Sequence, residues 1–211
     1  MNGRSPTFGA VSIEGPRTLL RPAAWDDLEL FYKWRSDIAE LHLWSMLRRV
    51  TSLKEFEPEF DRLLAGNATF VVVLKETGGE AGFVQAYGFN LEQGWASFMM
   101  YMDRACRAPG VTLEAGLLLM SYLFDSFPLR KLYAEVFEYN TESERILLRL
   151  GFVEEARLRE HVWYRDRYWD HLRLALYREK WESQRSRYEE MAGLQSDIDR
   201  MAQALASPSP D

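Results

Sequence analysis

Residues 94–116 hold the part of the chain best placed to do chemistry. Trp95 to Met102 is an apolar, strand-like run. It ends in a short basic loop carrying Arg104, Arg107, Pro109 and Gly110. Thr112 then opens a long apolar run, Leu113 to Phe124, whose length reads as a helix. Strand, basic turn and helix N-terminus together suit phosphate. The first N–H groups of a helix lack an internal partner and point off its end. The macrodipole favours negative charge there, and arginines add charge-assisted hydrogen bonds. A junction that binds nothing, with solvent-facing arginines, is the competing reading of this stretch alone.

The elements around that loop follow from pattern. Residues 1–16 contain three glycines and two prolines and read as a loose lead-in. Thr18 to Arg21 is a short strand ended by Pro22. Asp26 and Asp27 precede Leu28, Phe31, Tyr32, Trp34 and Ile38, a helical spacing with acids in the first turn. Ser52-x-x-Glu55 is a capping box for a second helix toward Leu64. Pro58 inside it predicts a kink or a late start. Thr69–Leu74, Gly82–Asn90 and Trp95–Met102, joined by glycine turns, predict an antiparallel meander. Lys131–Phe137 alternates as a strand. Asn140 caps a helix running to Leu150, and Gly151 stops it. Two strands follow, from Val153 and from Tyr168, about the turn Arg165-Asp166. The fold class is thus α/β (α+β), with a mixed, mostly antiparallel sheet flanked by helices. A charged tail, 182–211, ends in disorder. Met191, Leu194, Ile198, Met201 and Leu205 form a short heptad seam in it, for packing on the domain or on a second subunit as a homodimer.

Bulk composition excludes several classes. Of 211 residues, 47% are hydrophobic and 27% charged, as in globular proteins. The net charge of −6 argues against nucleic-acid binding through bulk charge. A single cysteine, Cys106, permits no intramolecular disulfide, so a cytoplasmic location is expected. No apolar run reaches the length of a membrane span, so no membrane partner is expected. No His, Cys or Asp cluster has metal-ligand spacing, and no metal is expected.

Four segments in order now carry a resemblance. They are Thr18-Leu-Leu-Arg-Pro22 with Trp34-Arg35-Ser36-Asp37; Arg107-x-x-Gly110-x-Thr112 with Glu114-Ala115; Asn140-x-x-Ser143 with Leu150-Gly151-Phe152; and Tyr168-x-Asp170 with Trp181. Over about 17–181 the chain resembles the GNAT N-acetyltransferase superfamily. It looks most similar to the subfamily that includes ribosomal-protein N-terminal acetyltransferases.

The resemblance implies an acyl-CoA-dependent N-acyltransferase with splayed central strands. Acetyl-CoA would be the acyl donor, and a primary amine of a small molecule or a protein N-terminus the acceptor. It implies that Gly110, Val111 and Thr112 bind the pyrophosphate with Arg107. Met100, Tyr101 and Met102 would pair with the pantetheine arm, and Asn140 and Ser143 would complete the cofactor site. One strand N–H would act as oxyanion donor. Ser143 matches a residue that protonates the leaving thiolate. Leu147 stands where many relatives carry a tyrosine, with Tyr139 as a substitute. Glu160 is the matched general-base candidate, beside Glu138, His161 or a water chain. Trp34, Trp44, Phe89, His161 and Trp163 would line an aromatic acceptor pocket. Ala108, Pro109 and Thr112 depart from the family loop, and Pro109 has no N–H to give. The rival reading is a GNAT-fold module that binds coenzyme A or a partner without turnover.

Overall fold

The computed structural model describes residues 12–46, 49–107 and 110–192. The departures at Ala108 and Pro109, and the tail seam beyond Met191, lie outside the described residues. Strand β1 (Ile13–Glu14) pairs antiparallel with β2 (Thr18–Pro22), so the end of the expected lead-in is already sheet. Helices α1 (Leu28–Arg35) and α2 (Ile38–Leu41) replace the one helix expected through Ile38. Asp37 divides them, because its side chain accepts the Ala39 N–H at 3.0 Å and caps a new helix.

Helix α3 (Leu53–Leu64) starts at the expected capping box. Ser52 Oγ accepts the Glu55 N–H at 3.3 Å, and Glu55 accepts the Ser52 N–H at 2.8 Å. The helix runs through Pro58 rather than starting late. Proline removes the bond to the Lys54 carbonyl, but both residues face solvent, and water can serve that carbonyl.

The meander follows as β3 (Ala68–Leu74), β4 (Glu80–Asn90) and β5 (Trp95–Met102). A 3-10 turn over Arg104–Cys106 precedes α4 (Val111–Ser126). Then come β6 (Lys131–Phe137), α5 (Thr141–Arg149), β7 (Val153–Tyr164), β8 (Arg167–Tyr177) and α6 (Arg178–Ala192). The sheet order is β1-β2-β3-β4-β5-β6-β8-β7, and only β5–β6 is parallel. The final hairpin therefore inserts β8 beside β6 and leaves β7 at the outer edge.

Each sheet face has its own core. Helix α4 buries Leu117, Leu119, Met120 and Leu123 against Phe98, Leu132 and Leu174. On the other face, α1 and α3 bury Phe31, Trp34, Phe56 and Phe60 against Val71, Phe83 and Tyr101. Each such buried side chain contributes about 1.5–3 kcal/mol. Helix α6 docks by Trp181, stacked on Phe124 at 5.6 Å, and by Tyr188, whose hydroxyl donates to the Leu150 carbonyl at 2.6 Å. Among the described residues no helix is long and apolar enough to cross a membrane.

Candidate active site

The parallel pairing of β5 and β6 stops early. Its last pair is Phe98 with Ala134, yet β5 runs on to Met102 and β6 to Phe137. Beyond that point the strands part and leave a notch in the sheet. In an extended strand alternate residues turn their N–H and C=O to one edge, so residues 99–102 offer backbone donors and acceptors to the notch. Met100 and Met102 face α4, and Tyr101 faces the aromatic core under α1. Burial, then Asp103, Asp37 and Glu40, push the Tyr101 phenol up to about 12.

Both helices that follow the parting strands begin at this end of the sheet. Gly110 is the N-cap of α4, at φ +90°, where a side chain would be strained. Val111, one residue earlier than expected, starts the helix, with Thr112 next. Their N–H groups have no acceptor within the helix. Asn140 caps α5, accepting the Ser143 N–H at 3.3 Å. Its amide also donates to the Leu43 carbonyl at 3.1 Å, and the Tyr139 hydroxyl donates to the His42 carbonyl at 2.6 Å. Tyr139 is thereby committed to a carbonyl rather than aimed at a leaving group. These bonds, with His42 stacked on Tyr164 at 4.6 Å, draw the segment after α2 across to the last hairpin.

The start of α4 is braced by a residue whose role the sequence reading left unassigned. Glu114 is fully buried. It accepts the N–H groups of Arg17 and Thr18 at 2.9 and 2.8 Å and the Thr18 hydroxyl at 2.7 Å. A Cβ at Gly15 would collide with the same carboxylate.

Several expected roles move. Arg107 donates from Nε to the Met102 carbonyl at 3.1 Å, and its guanidinium pairs with the buried Glu40 of α2. A buried carboxylate requires such a partner. Arg17 is a second cation at the loop: a Cβ on Gly110 would come within 2.9 Å of its Nη1, which lies 3.4 Å from Glu114 Oε2. Glu160 lies on β7, with β8 between it and β6, so the general-base assignment there is corrected. It sits in a β-bulge at φ +48°, and its N–H donates to Asp170 Oδ1 at 2.9 Å. That N–H, followed by Arg157, holds the Asp170 carboxyl below the usual carboxylate range, and Asp170 anchors the hairpin.

The five aromatic and histidine pocket candidates do not converge. Trp34 is 1% exposed and belongs to the core, its Nε1 donating to Asp103 at 3.3 Å. Trp44 packs on Phe83 and Tyr101 beside the notch. Phe89 follows the irregularity near Gly88, which turns it to the α4 face against Phe127. Trp163 packs on Tyr168 at the hairpin end, on the face opposite Tyr164. His161 stacks on His171 at 5.8 Å.

A different carboxylate stands at the notch. Glu135 is the first residue of β6 after the last pair with β5. It shares a face with Tyr133 and Tyr101 by strand alternation. Its side chain is 28% exposed, and it faces Arg173 and His171 of β8. The sequence reading missed it because Glu135 is the sole exposed residue in an otherwise covered strand, a position that also reads as a plain surface glutamate.

The stretch of chain that builds this notch is matched by a family model described as an acetyltransferase (GNAT) domain, over residues 17–153, well over half of the chain. The chain belongs to this family.

Curated and solved relatives are distant. An uncharacterized N-acetyltransferase from a Bacillus subtilis prophage, YokL, is 23% identical over 101 residues. The match spans 48% of this chain and 57% of that protein. The spermidine N-acetyltransferase of Vibrio cholerae, solved with CoA and spermine, superposes with a TM-score of 0.72 at 21% identity. That match covers 79% of this chain and 99% of the other. A GCN5-related N-acetyltransferase from Brucella melitensis gives 0.71 at 22% identity, covering 88% and 86%. At such identities the superpositions show the GNAT fold alone.

Proposed function

We propose that this GNAT domain transfers an acyl group, acetyl from acetyl-CoA, to a primary amine. The observation that carries the reading is the notch: strand edges at residues 99–102 open beside the N-termini of α4 and α5. Coenzyme A fits it chemically. Gly110 allows close approach to the α4 N-terminus, Arg17 brings positive charge, and the β5 edge can pair with an amide-bearing arm. Bound acetyl-CoA supplies a thioester carbon open to attack.

The chain's own groups then do four things. Backbone N–H groups of the β5 edge stabilise charge developing on the carbonyl oxygen. Glu135 takes the proton that the attacking amine must lose. Ser143, in the first turn of α5, returns a proton to the departing thiolate. The segment at His42–Trp44, tied to Tyr139 and Asn140, bounds the site on the amine side. New bond formation at nitrogen is thus balanced by C–S cleavage: Ser143 relays a proton to sulfur, and the proton taken by Glu135 returns through solvent to the Ser143 hydroxyl, so one proton moves in all from nitrogen to sulfur.

A small amine is the favoured acceptor over a protein N-terminus. Support comes from the polyamine enzyme among the solved relatives. The test pairs two measurements. Thermal melting with acetyl-CoA, coenzyme A and a longer acyl-CoA reads binding, because a ligand of the native state raises Tm. Thiol release with polyamines, amino acids and short peptides reads turnover. A Tm rise with acetyl-CoA and thiol release with polyamines are expected. No Tm rise with any acyl-CoA would overturn the enzyme reading, and release with peptides alone would overturn the small-amine choice.

A further inference from the structure

Glu135 has two oxygens, and its neighbours treat them differently. Arg173 stands directly opposite it in the β6–β8 ladder. The guanidinium donates from Nε at 3.0 Å, and also from Nη2, to the same Oε1. Oε2 is left on the other side, 3.5 Å from His171 Nε2. His171 is 7% exposed, packed on Phe137 at 5.2 Å and stacked on His161. Burial lowers its pKa, with the nearby Glu135 pushing the other way. Tyr133 lies under Arg173 at 5.2 Å, and the Tyr87 phenol is close enough to feel both Glu135 and Arg173.

We propose that Arg173 is a positioning residue: it pins one oxygen of Glu135 so that the other is presented, in one orientation, to the acceptor amine. This rests on the acyltransferase reading and on Glu135 as its base. Left alone, an exposed glutamate samples several rotamers, and a base out of place by an ångström loses much of its advantage. The guanidinium fork fixes both distance and plane in a way an ammonium does not. Arg173 is 51% exposed. Exposed ion pairs contribute little to stability, so its removal should be read in rate rather than in folding.

The test uses Arg173→Gln, Arg173→Lys and Glu135→Gln in the full chain. It follows thiol release from acetyl-CoA with the best acceptor. Arg173→Gln should lower kcat roughly 10- to 100-fold through loss of orientation, leaving the KM for acetyl-CoA and the Tm in place. Arg173→Lys should recover only part of kcat. Wild-type kcat in Arg173→Gln, with Glu135→Gln inactive, would overturn the positioning role alone. Full activity in Glu135→Gln would overturn the base assignment beneath it.

Discussion

Glu114, at the start of α4, and Glu135, at the notch, are both carboxylates, and they differ in every respect that matters. Glu114 is fully buried, and three donors from Arg17 and Thr18 converge on one of its oxygens. Glu135 is partly open, with one oxygen held by Arg173 and the other less constrained. The same contrast holds between the halves of the sheet. From β2 to β5, apolar clusters cover both faces. Over β6 and β8, the face carrying Glu135 and Arg173 keeps exposed, charged residues. A carboxylate whose bonding is complete can brace a helix but cannot take a proton. One that is half-satisfied can.

The largest effect is expected at Glu135. Glu135→Gln keeps the shape and removes the base, so turnover should fall about 10²- to 10⁴-fold. Tm should stay within about 2 °C, because the lost pair with Arg173 is a surface one. A large fall in Tm would make Glu135 a second brace. Glu114→Ala should do the reverse. It strands two buried N–H groups and a hydroxyl, each costing about 1–3 kcal/mol unless water enters. A net loss of about 3 kcal/mol, or roughly 6–12 °C in Tm for a chain of this size, is the expected melting result. Glu114→Gln should recover part of it by keeping an acceptor. A Glu114→Ala variant that melts like wild type would end the brace argument.

Local signals made most of the fold legible. The Ser52–Glu55 box, the Asn140 cap and the glycine turns mark element ends through bonds made within a few residues. The start of α4 was legible for the same reason: Gly110 at positive φ and the helix it opens are properties of one short segment. What stayed hidden depends on pairing across the chain. The order β6-β8-β7 cannot be read from alternation, and it decides that Glu160 is remote while Arg173 meets Glu135. The turned register near Gly88 sends Phe89 to the wrong face for an acceptor pocket. The pairing of Arg107 with Glu40 was hidden because the two are distant in sequence, and Arg17 lay outside the motif that marked the loop.

A third prediction probes the lower end of the functional half. Lys131 is 8% exposed and meets Glu155 at 2.6 Å. Burial raises the Glu155 carboxyl, but hydrogen bonds from Lys131, Tyr177 and Tyr133 outweigh it and bring it down to about 2, from an ordinary 4.5. A carboxyl depressed by folding stabilises above its unfolded value, and that stability is lost as pH falls from about 4.5 toward 2. Lys131→Met should therefore cost about 1–2 kcal/mol at pH 7, less than a fully buried pair because Glu155 is partly exposed. It should also flatten the acid loss of Tm below pH 4.5. Thermal melts at neutral and acid pH check both. An unchanged acid slope would show that Tyr177 and Tyr133 hold the carboxylate without Lys131.

The smallest effect is expected at Trp163, and its smallness is informative. Trp163 is 52% exposed and packs on Tyr168 at the hairpin end. Strand alternation turns it away from Tyr164, whose ring joins the stack with His42 and Tyr139 that borders the notch. A half-exposed ring there contributes about 0.5 kcal/mol or less beyond its area. Trp163→Ala should leave the KM for the acceptor, kcat and Tm close to wild type. Tyr164→Ala should raise the acceptor KM, since it loosens the segment that bounds the amine side. If the order is reversed and Trp163→Ala is the one that weakens the acceptor, then the amine arrives over the α4 face. Glu135 would then be on the wrong side of the sheet to take its proton.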